Sequence, residues 1–247
     1  QFKGLPGDDE THSRTRLLIG PAGLERLGRA RVLVAGLGGV GGYAAEALVR
    51  AGVGTLILLD RDRFEPSNLN RQVLADRTTL GEQKVDAAAR RFAAISPATR
   101  VEAVAEQVTP ENAASLVARF LPLDAVIDAI DDVPAKVALL ASATKAGVWC
   151  VSCMGAGARW RVAASRVADL SQTRGCPLAR VTRRMLRDRG IASGITCVFF
   201  DGPADVVPRP DANGKCGPVG SISYPPGLIG LTAAGVAVER LLSEVIR

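Results

Sequence analysis

R-V-L-V-A-G-L-G-G-V-G-G-Y-A-A-E-A-L-V-R-A-G-V-G-T-L-I-L-L-D-R-D, residues 31–62, is the stretch on which the fold turns. An apolar run, Val32 to Ala35, ends in glycines. Ala44, Ala45, Ala47, Leu48 and Ala51 then recur at helical spacing, and a second apolar run, Leu56 to Leu59, ends at Asp60. Strand, tight turn, helix and strand make one βαβ unit. Gly36, Gly38 and Gly41 fit the G-x-G-x-x-G spacing, with Gly39 between them. The first two allow the turn and the close approach of a phosphate, and the third lets helix and strand pack. The helix that begins there offers unpaired N–H groups and a positive dipole end to an anion. Asp60 closes the second strand, where a carboxylate can hold ribose hydroxyls. Nucleotide binding is the expectation, and a purely structural glycine turn is the alternative.

Working outward, the 247 residues suffice for one large α/β domain. Only 4% are aromatic, so Ala, Val, Leu and Ile must build the core, which suits a parallel sheet buried on both faces. The charge is uneven. Residues 166–190 hold seven arginines against Asp169 and Asp188, and so carry +5 of the chain's net +6. A basic patch of this kind favours a polyanion such as RNA, the alternative being a solvated helix face. Five irregularly spaced cysteines make no disulfide framework and point to a reducing, cytoplasmic setting. The longest late apolar run, Pro225 to Val238, is interrupted by three glycines. It reads as a core helix, and no membrane association is expected.

Along the chain, residues 1–13 read as a polar, mobile start, and a helix is predicted over Arg14 to Leu27. Further helices are predicted over Gly81 to Ile95, from Pro110 (capped by Thr109) to Phe120, and over Pro134 to Ala146. Strands are predicted near Val101 to Ala105, Asp124 to Ala129 and Val148 to Met154. This alternation argues a doubly wound, mostly parallel, Rossmann-like sheet. After residue 154 the pattern changes. An antiparallel strand is expected within Trp160 to Ala168, an arginine-rich helix from Pro177, a strand over Ile195 to Phe200, a Gly/Pro-rich loop over 202–220 and a last helix from Gly227 to Val245. One domain over 1–247 is expected, with a nucleotide-binding core at 14–154 and a C-terminal extension, antiparallel and helical, at 155–247.

Polar residues gather where strand ends are expected, and in such sheets the ligand crevice lies beyond those ends. Asp60 and Asp62 follow the second strand; Asp128, Asp131 and Asp132 follow the strand that starts at Asp124. Asn68, Arg71 and Gln72 lie on the loop between, and Lys84 lies early in the next helix. An acid can carry Mg²⁺ while cations neutralise charge on a triphosphate. Taken singly, Lys84 also reads as a surface residue and Asp132 as a helix cap.

G-L-G-G-V-G, Asp60, D-R-D-R-F-E-P-S-N-L-N-R-Q (60–72), Lys84 and D-A-I-D-D (128–132) together resemble the ThiF/MoeB group of the ubiquitin-activating-enzyme superfamily. These are ATP-dependent enzymes that adenylate a carboxylate, and the likeness covers roughly residues 14–154. C-P-L-A-R-V-T-R-R-M-L-R (176–187) and G-S-I-S-Y-P-P-G-L-I-G (220–230) are similar to the branch that activates the carboxylate of a modified adenosine beside the tRNA anticodon and cyclises it. The resemblance implies that Gly38 and Gly41 approach the phosphates and Asp60 the ribose. It places Asn68, Arg71 and Lys84 on the triphosphate of ATP, and Asp131 on Mg²⁺. Arg16, in R-T-R-L-L, matches an arginine that reaches into a partner subunit's site, which implies a homodimer. A carboxylate is a poor acyl donor until it becomes a mixed anhydride with AMP. The substrate's own nitrogen can then close a ring and expel AMP, a step favoured by proximity.

Cys150 and Cys153 form a C-x-x-C without a second pair, and alternation along a strand sends them to opposite faces, so zinc is not expected. Cys216, in the Gly/Pro loop, is the accessible thiol and the one weighed as an acyl carrier. Arg180, Arg183, Arg184 and Arg187 are the candidate RNA contacts. Two other readings stand beside the tRNA enzyme. One is an activator of a ubiquitin-like or sulfur-carrier protein, with a sulfur-transfer partner. The other is an NAD-dependent oxidoreductase.

Overall fold

The computed structural model of the protein describes residues 10–161, 165–206, 219–243 and 245. Seven helices (α) and seven strands (β) alternate along it. The first half holds α1 (Ser13–Arg29), β1 (Arg31–Ala35), α2 (Gly41–Ala51), β2 (Thr55–Leu59), α3 (Lys84–Ile95), β3 (Arg100–Val104), α4 (Ala113–Phe120), β4 (Ala125–Asp128), α5 (Val133–Lys145) and β5 (Trp149–Cys153). The second half adds β6 (Ser165–Asp169), α6 (Pro177–Arg187), β7 (Thr196–Phe200) and α7 (Tyr224–Leu242). The strands form one sheet in the order β3-β2-β1-β4-β5-β7-β6. All neighbours are parallel except the edge pair, where β6 runs antiparallel to β7. This is the doubly wound, Rossmann-like sheet with a C-terminal extension that joins the same sheet.

The period of two along each strand sends alternate side chains to opposite faces. Val32 and Val34, Leu56 and Leu58, and Ala125 and Ile127 face one core, closed by α2, α3 and α7. Leu33 and Ala35, Ile57 and Leu59, and Val126 face the other, closed by α4, α5 and α6. Strand order reverses on either side of β1. A crevice therefore opens beyond the carboxyl ends of β1 and β4.

Several boundaries differ from expectation for local reasons. α3 starts at Lys84, not Gly81, because residues 81–83 run alongside 62–64. Gly81 N–H donates to Phe64 O, Phe64 N–H to Glu82 O, and Lys84 N–H to Asp62 O. α4 starts at Ala113 because Thr109 and Asn112 close a turn first: Thr109 N–H donates to Asn112 Oδ1 at 2.8 Å and Asn112 N–H to Thr109 Oγ1 at 3.3 Å. Pro21 does open a helical turn, but within α1, just after a break at Gly20 with φ 72°. α7 starts at Tyr224, with prolines in its first turn where their missing N–H costs nothing. The antiparallel edge strand is confined to Ser165–Asp169. Of the expected mobile start, Glu10–His12 instead form a 3-10 turn and Ser13 opens α1, while residues 1–9 lie outside the described residues, as does most of the 202–220 loop, Cys216 included.

The glycines of the first turn do different jobs. A Cβ on Gly41 would lie 1.7 Å from Gly36 O, so α2 sits against the end of β1 at a distance no side chain permits. Gly36 itself has φ +87°. A Cβ on Gly38 would meet nothing nearer than Gln72 Nε2 at 3.9 Å. Thermal or denaturant unfolding should accordingly show Gly41→Ala to be destabilising by about 3 kcal/mol or more, while Gly38→Ala stays within about 0.5 kcal/mol of the parent. Equal effects at the two positions would contradict this division.

Candidate active site

The crevice holds a cleft of about 590 Å³. Gly36, Gly38 and Gly39 enter it from the β1–α2 turn, Asp60 and Asp62 from the end of β2, and Asp131 from the end of β4. Asn68, Arg71 and Gln72 come from the loop after β2, and Lys84 from the start of α3. Ten of the residues expected at the site are thus brought together.

Asp60 is the centre of the polar floor. Its Oδ2 accepts the Leu37 N–H at 2.6 Å and its Oδ1 the Asp62 N–H at 2.8 Å. Burial raises its pKa above the ordinary carboxylate value, against the opposing pull of Lys84 and the two N–H groups. Lys84 is itself buried, 6% exposed, and is held between two acids. Its Nζ donates to Asp62 Oδ2 at 3.0 Å and lies 3.9 Å from Asp60 Oδ2. An ammonium so placed is unavailable to bulk water and directed at the cleft, which is no surface lysine's setting.

The loop after β2 is built around its asparagines. Asn68 Oδ1 accepts the Glu65 N–H at 3.1 Å and so caps a single 3-10 turn. Asn70 Nδ2 donates to Ser221 O at 2.9 Å, tying this loop to the segment before α7. Arg71 Nη1 donates to Ser67 O at 2.8 Å and Asn70 Oδ1 at 3.0 Å, which steadies the guanidinium at the cleft wall. Gln72 is buried, and its Oε1 has no hydrogen-bond partner among the described residues.

Asp131 is exposed at the cleft, whereas the neighbouring Asp132 caps α5, its Oδ1 accepting the Ala135 N–H at 2.9 Å. Among the described residues no three His, Cys, Asp or Glu side chains gather as an all-protein metal cage. One free carboxylate beside a triphosphate nevertheless suits Mg²⁺, which binds through one or two carboxylates, phosphate oxygens and water.

Three expectations are corrected in place. Asp128 does not reach the cleft: it is fully buried beneath it, its Oδ2 bound by Lys136 and Ser152. Gly41 is buried under the turn as a packing residue and does not line the cleft. Arg16 lies on α1, outside the cleft of its own chain, and the expectation for it concerns the cleft of a second chain. Arg183, expected on RNA, instead donates to Thr173 O at 2.8 Å and Thr173 Oγ1 at 2.6 Å, fastening the turn before α6. Arg180, Arg184 and Arg187 are exposed, unpaired with any acid among the described residues, and line a groove of about 370 Å³. Cys150 and Cys153 face opposite cores. Burial pushes both thiols up to about 12, so Cys153, though at the cleft wall, stays protonated and no nucleophile.

The sequence reading passed over Gln107 and Val108 beyond β3, and Met154 to Gly157 beyond β5, which complete the cleft with Leu178 of α6. Their signal was positional only: they follow strands, and strand ends line the crevice.

A tRNA threonylcarbamoyladenosine dehydratase of Bacillus subtilis is 36% identical to this chain over 246 residues, covering 94% of it and 95% of that protein. A sulfur carrier protein adenylyltransferase of Thermus thermophilus is 44% identical over 118 residues, 48% of this chain and 42% of that protein. The crystal structure of Escherichia coli tRNA N6-threonylcarbamoyladenosine dehydratase in complex with ATP matches with a TM-score of 0.86 at 31% identity, over 95% of each chain. Residues 12–245 match the model of the ThiF family, and the chain belongs to that family.

Proposed function

We propose that this protein is an ATP-dependent tRNA-modifying dehydratase that adenylates the carboxylate of threonylcarbamoyladenosine and cyclises it with release of AMP. The observation that carries the reading is the cleft itself. Lys84, Arg71, Gln72 and Asp131, a carboxylate without a partner among the described residues, meet beside a glycine turn, in a chain alike over 94% of its length to a dehydratase of that kind.

The phosphates of ATP lie against Gly38, Gly39 and the first turn of α2, where N–H groups and the helix dipole favour negative charge. Asp60 accepts from the ribose. The substrate carboxylate oxygen attacks the α-phosphorus, a new P–O bond forms, and the bond to pyrophosphate breaks. Lys84 and Arg71 hold the charge that grows on the departing pyrophosphate. Asp131 would hold Mg²⁺, whose charge would screen the phosphates. A nucleophile of the same modified side chain then attacks the activated carbonyl carbon and AMP leaves, so the net change is loss of one water. No residue of the chain is acylated on this route, which accords with the protonated state of Cys153.

Sulfur-carrier activation shares the first step, and the likeness to the Thermus protein lies within half of the chain. Incubation with ATP, Mg²⁺ and bulk tRNA separates the readings. Mass spectrometry of the digested tRNA should show one modified adenosine lighter by one water, and ATP–pyrophosphate exchange should be stimulated by modified tRNA. Exchange that requires an added carrier protein would favour the second reading. Lys84→Met should lower turnover about 100-fold or more.

The exposed stripe Arg180, Arg184 and Arg187 recurs at helical spacing on α6, whose first turn reaches the cleft at Leu178, and it suits the phosphates of the RNA strand. Replacing all three by Glu should weaken tRNA binding, leave ATP binding intact and reduce the slope of log K against log salt by about 2 to 3. Arg183→Ala should act through stability instead. Unchanged tRNA affinity in the triple variant would remove the stripe from the interface.

Leu17 and Leu18, 83% and 85% exposed, sit next to Arg16 on α1. Two neighbouring leucines so exposed are better explained by a second copy of the chain than by water, and a homodimer would carry Arg16 to the partner's cleft. Inactive Arg16→Ala and Lys84→Met variants, mixed and allowed to exchange subunits, should then regain activity, because one site in each mixed dimer is whole. No recovery despite demonstrated exchange would place Arg16 outside the site.

A further inference from the structure

Lys136 is fully buried on α5 directly beneath the cleft and has no part in the chemistry above. Its ammonium uses all three N–H bonds, donating to Asp128 Oδ2 at 2.5 Å, Cys153 O at 3.0 Å and Ser152 Oγ at 3.3 Å. Ser152 Oγ donates in turn to Asp128 Oδ2 at 2.5 Å, and Asp128 Oδ1 accepts the Ile130 N–H at 3.1 Å. Three elements therefore meet at one cation: α5, the last residue of β4 and the last two of β5.

The location explains the need. Pairing of β4 with β5 stops at Asp128 and Ser152, where the sheet parts to make the crevice. The Cys153 carbonyl lies just past that limit, buried, and a buried carbonyl must find a donor. Lys136 supplies it. A buried ion pair seldom adds net stability over a well-packed apolar pair of similar volume, so stability is a poor reason for this one. Geometry is a better one. The same carboxylate that neutralises Lys136 holds the Ile130 amide, and Asp131 is the next residue.

We propose that Lys136 is a positioning residue, fixing through Asp128 and Cys153 the two strand exits that present Asp131 and the Met154–Gly157 backbone to the reacting phosphate and carboxylate. The inference rests on the adenylation reading for its consequence in turnover, but not for its structural content.

The test is the double variant Asp128→Leu/Lys136→Met, which replaces the pair by apolar side chains without leaving a lone buried charge. The thermal midpoint and ATP affinity by calorimetry should stay near those of the parent. The Ile130 and Asp131 amides should lose protection in hydrogen exchange, and kcat for pyrophosphate exchange should fall about 100-fold with KM for ATP little changed, as expected for a misplaced reacting group. Should the double variant not fold, Ser152→Ala weakens the same network while keeping the ion pair, and it should give the same split at smaller amplitude. Parent-like kcat, unchanged amide protection, or a loss of kcat that merely follows a loss of stability would each overturn the proposal. If the parent enzyme itself shows no exchange of pyrophosphate, the adenylation reading fails, and amide protection in the variant still decides whether Lys136 fixes the loop.

Discussion

The Gly36 carbonyl oxygen stands where a methyl group on residue 41 would be, and the rest of the site follows from that contact. It brings the first turn of α2 against the end of β1, so the N-terminal end of that helix opens onto the crevice where strand order reverses. Everything negative in a nucleotide is drawn to this point, and the acids and cations of the neighbouring strand ends are arranged around it.

Two lysine–aspartate pairs sit at two depths below that point. Lys84 with Asp60 and Asp62 forms the floor of the cleft, and Lys136 with Asp128 lies fully buried beneath. The upper pair is incomplete by design of the fold. Asp60 is held above its ordinary pKa by burial, and Lys84 lies closer to Asp62 than to Asp60, so neither acid alone sets the charge of this floor. The lower pair is closed upon itself. Ligand-responsive charge and structural charge are thus separated by one layer of backbone.

The division between what could and could not be read in the chain has the same origin. Glycine spacing, the strand-ending Asp60 and the loop 66–72 were legible because local sequence pattern records strand, turn and helix directly. Lys84 was placed correctly at a helix start, yet its burial comes from residues 62–64 lying alongside 81–83, a pairing no periodicity reveals. Asp128 and Asp131 look equivalent in D-A-I-D-D, and only the register of β4, which ends at Asp128, sends one under the floor and leaves the other above it. Arg183 and Arg184 are likewise adjacent in sequence, but α6 turns the first back toward the Thr173 backbone and the second outward. Lys136 escaped notice because its partners lie on two other strands.

The glycines of α7 bear on how the chain reaches this state. A Cβ on Gly230 would stand 2.2 Å from Val40 O, and one on Gly227 would touch the Tyr43 ring, so the last helix lies flush against the first turn of α2. The glycine turn is synthesised well before the helix that backs it. Most of the polypeptide must therefore be made before the loop has a wall behind it, and a fragment ending near residue 154 would expose the underside of its own nucleotide site. The turn and the helix behind it are, in this sense, a single structural unit written far apart.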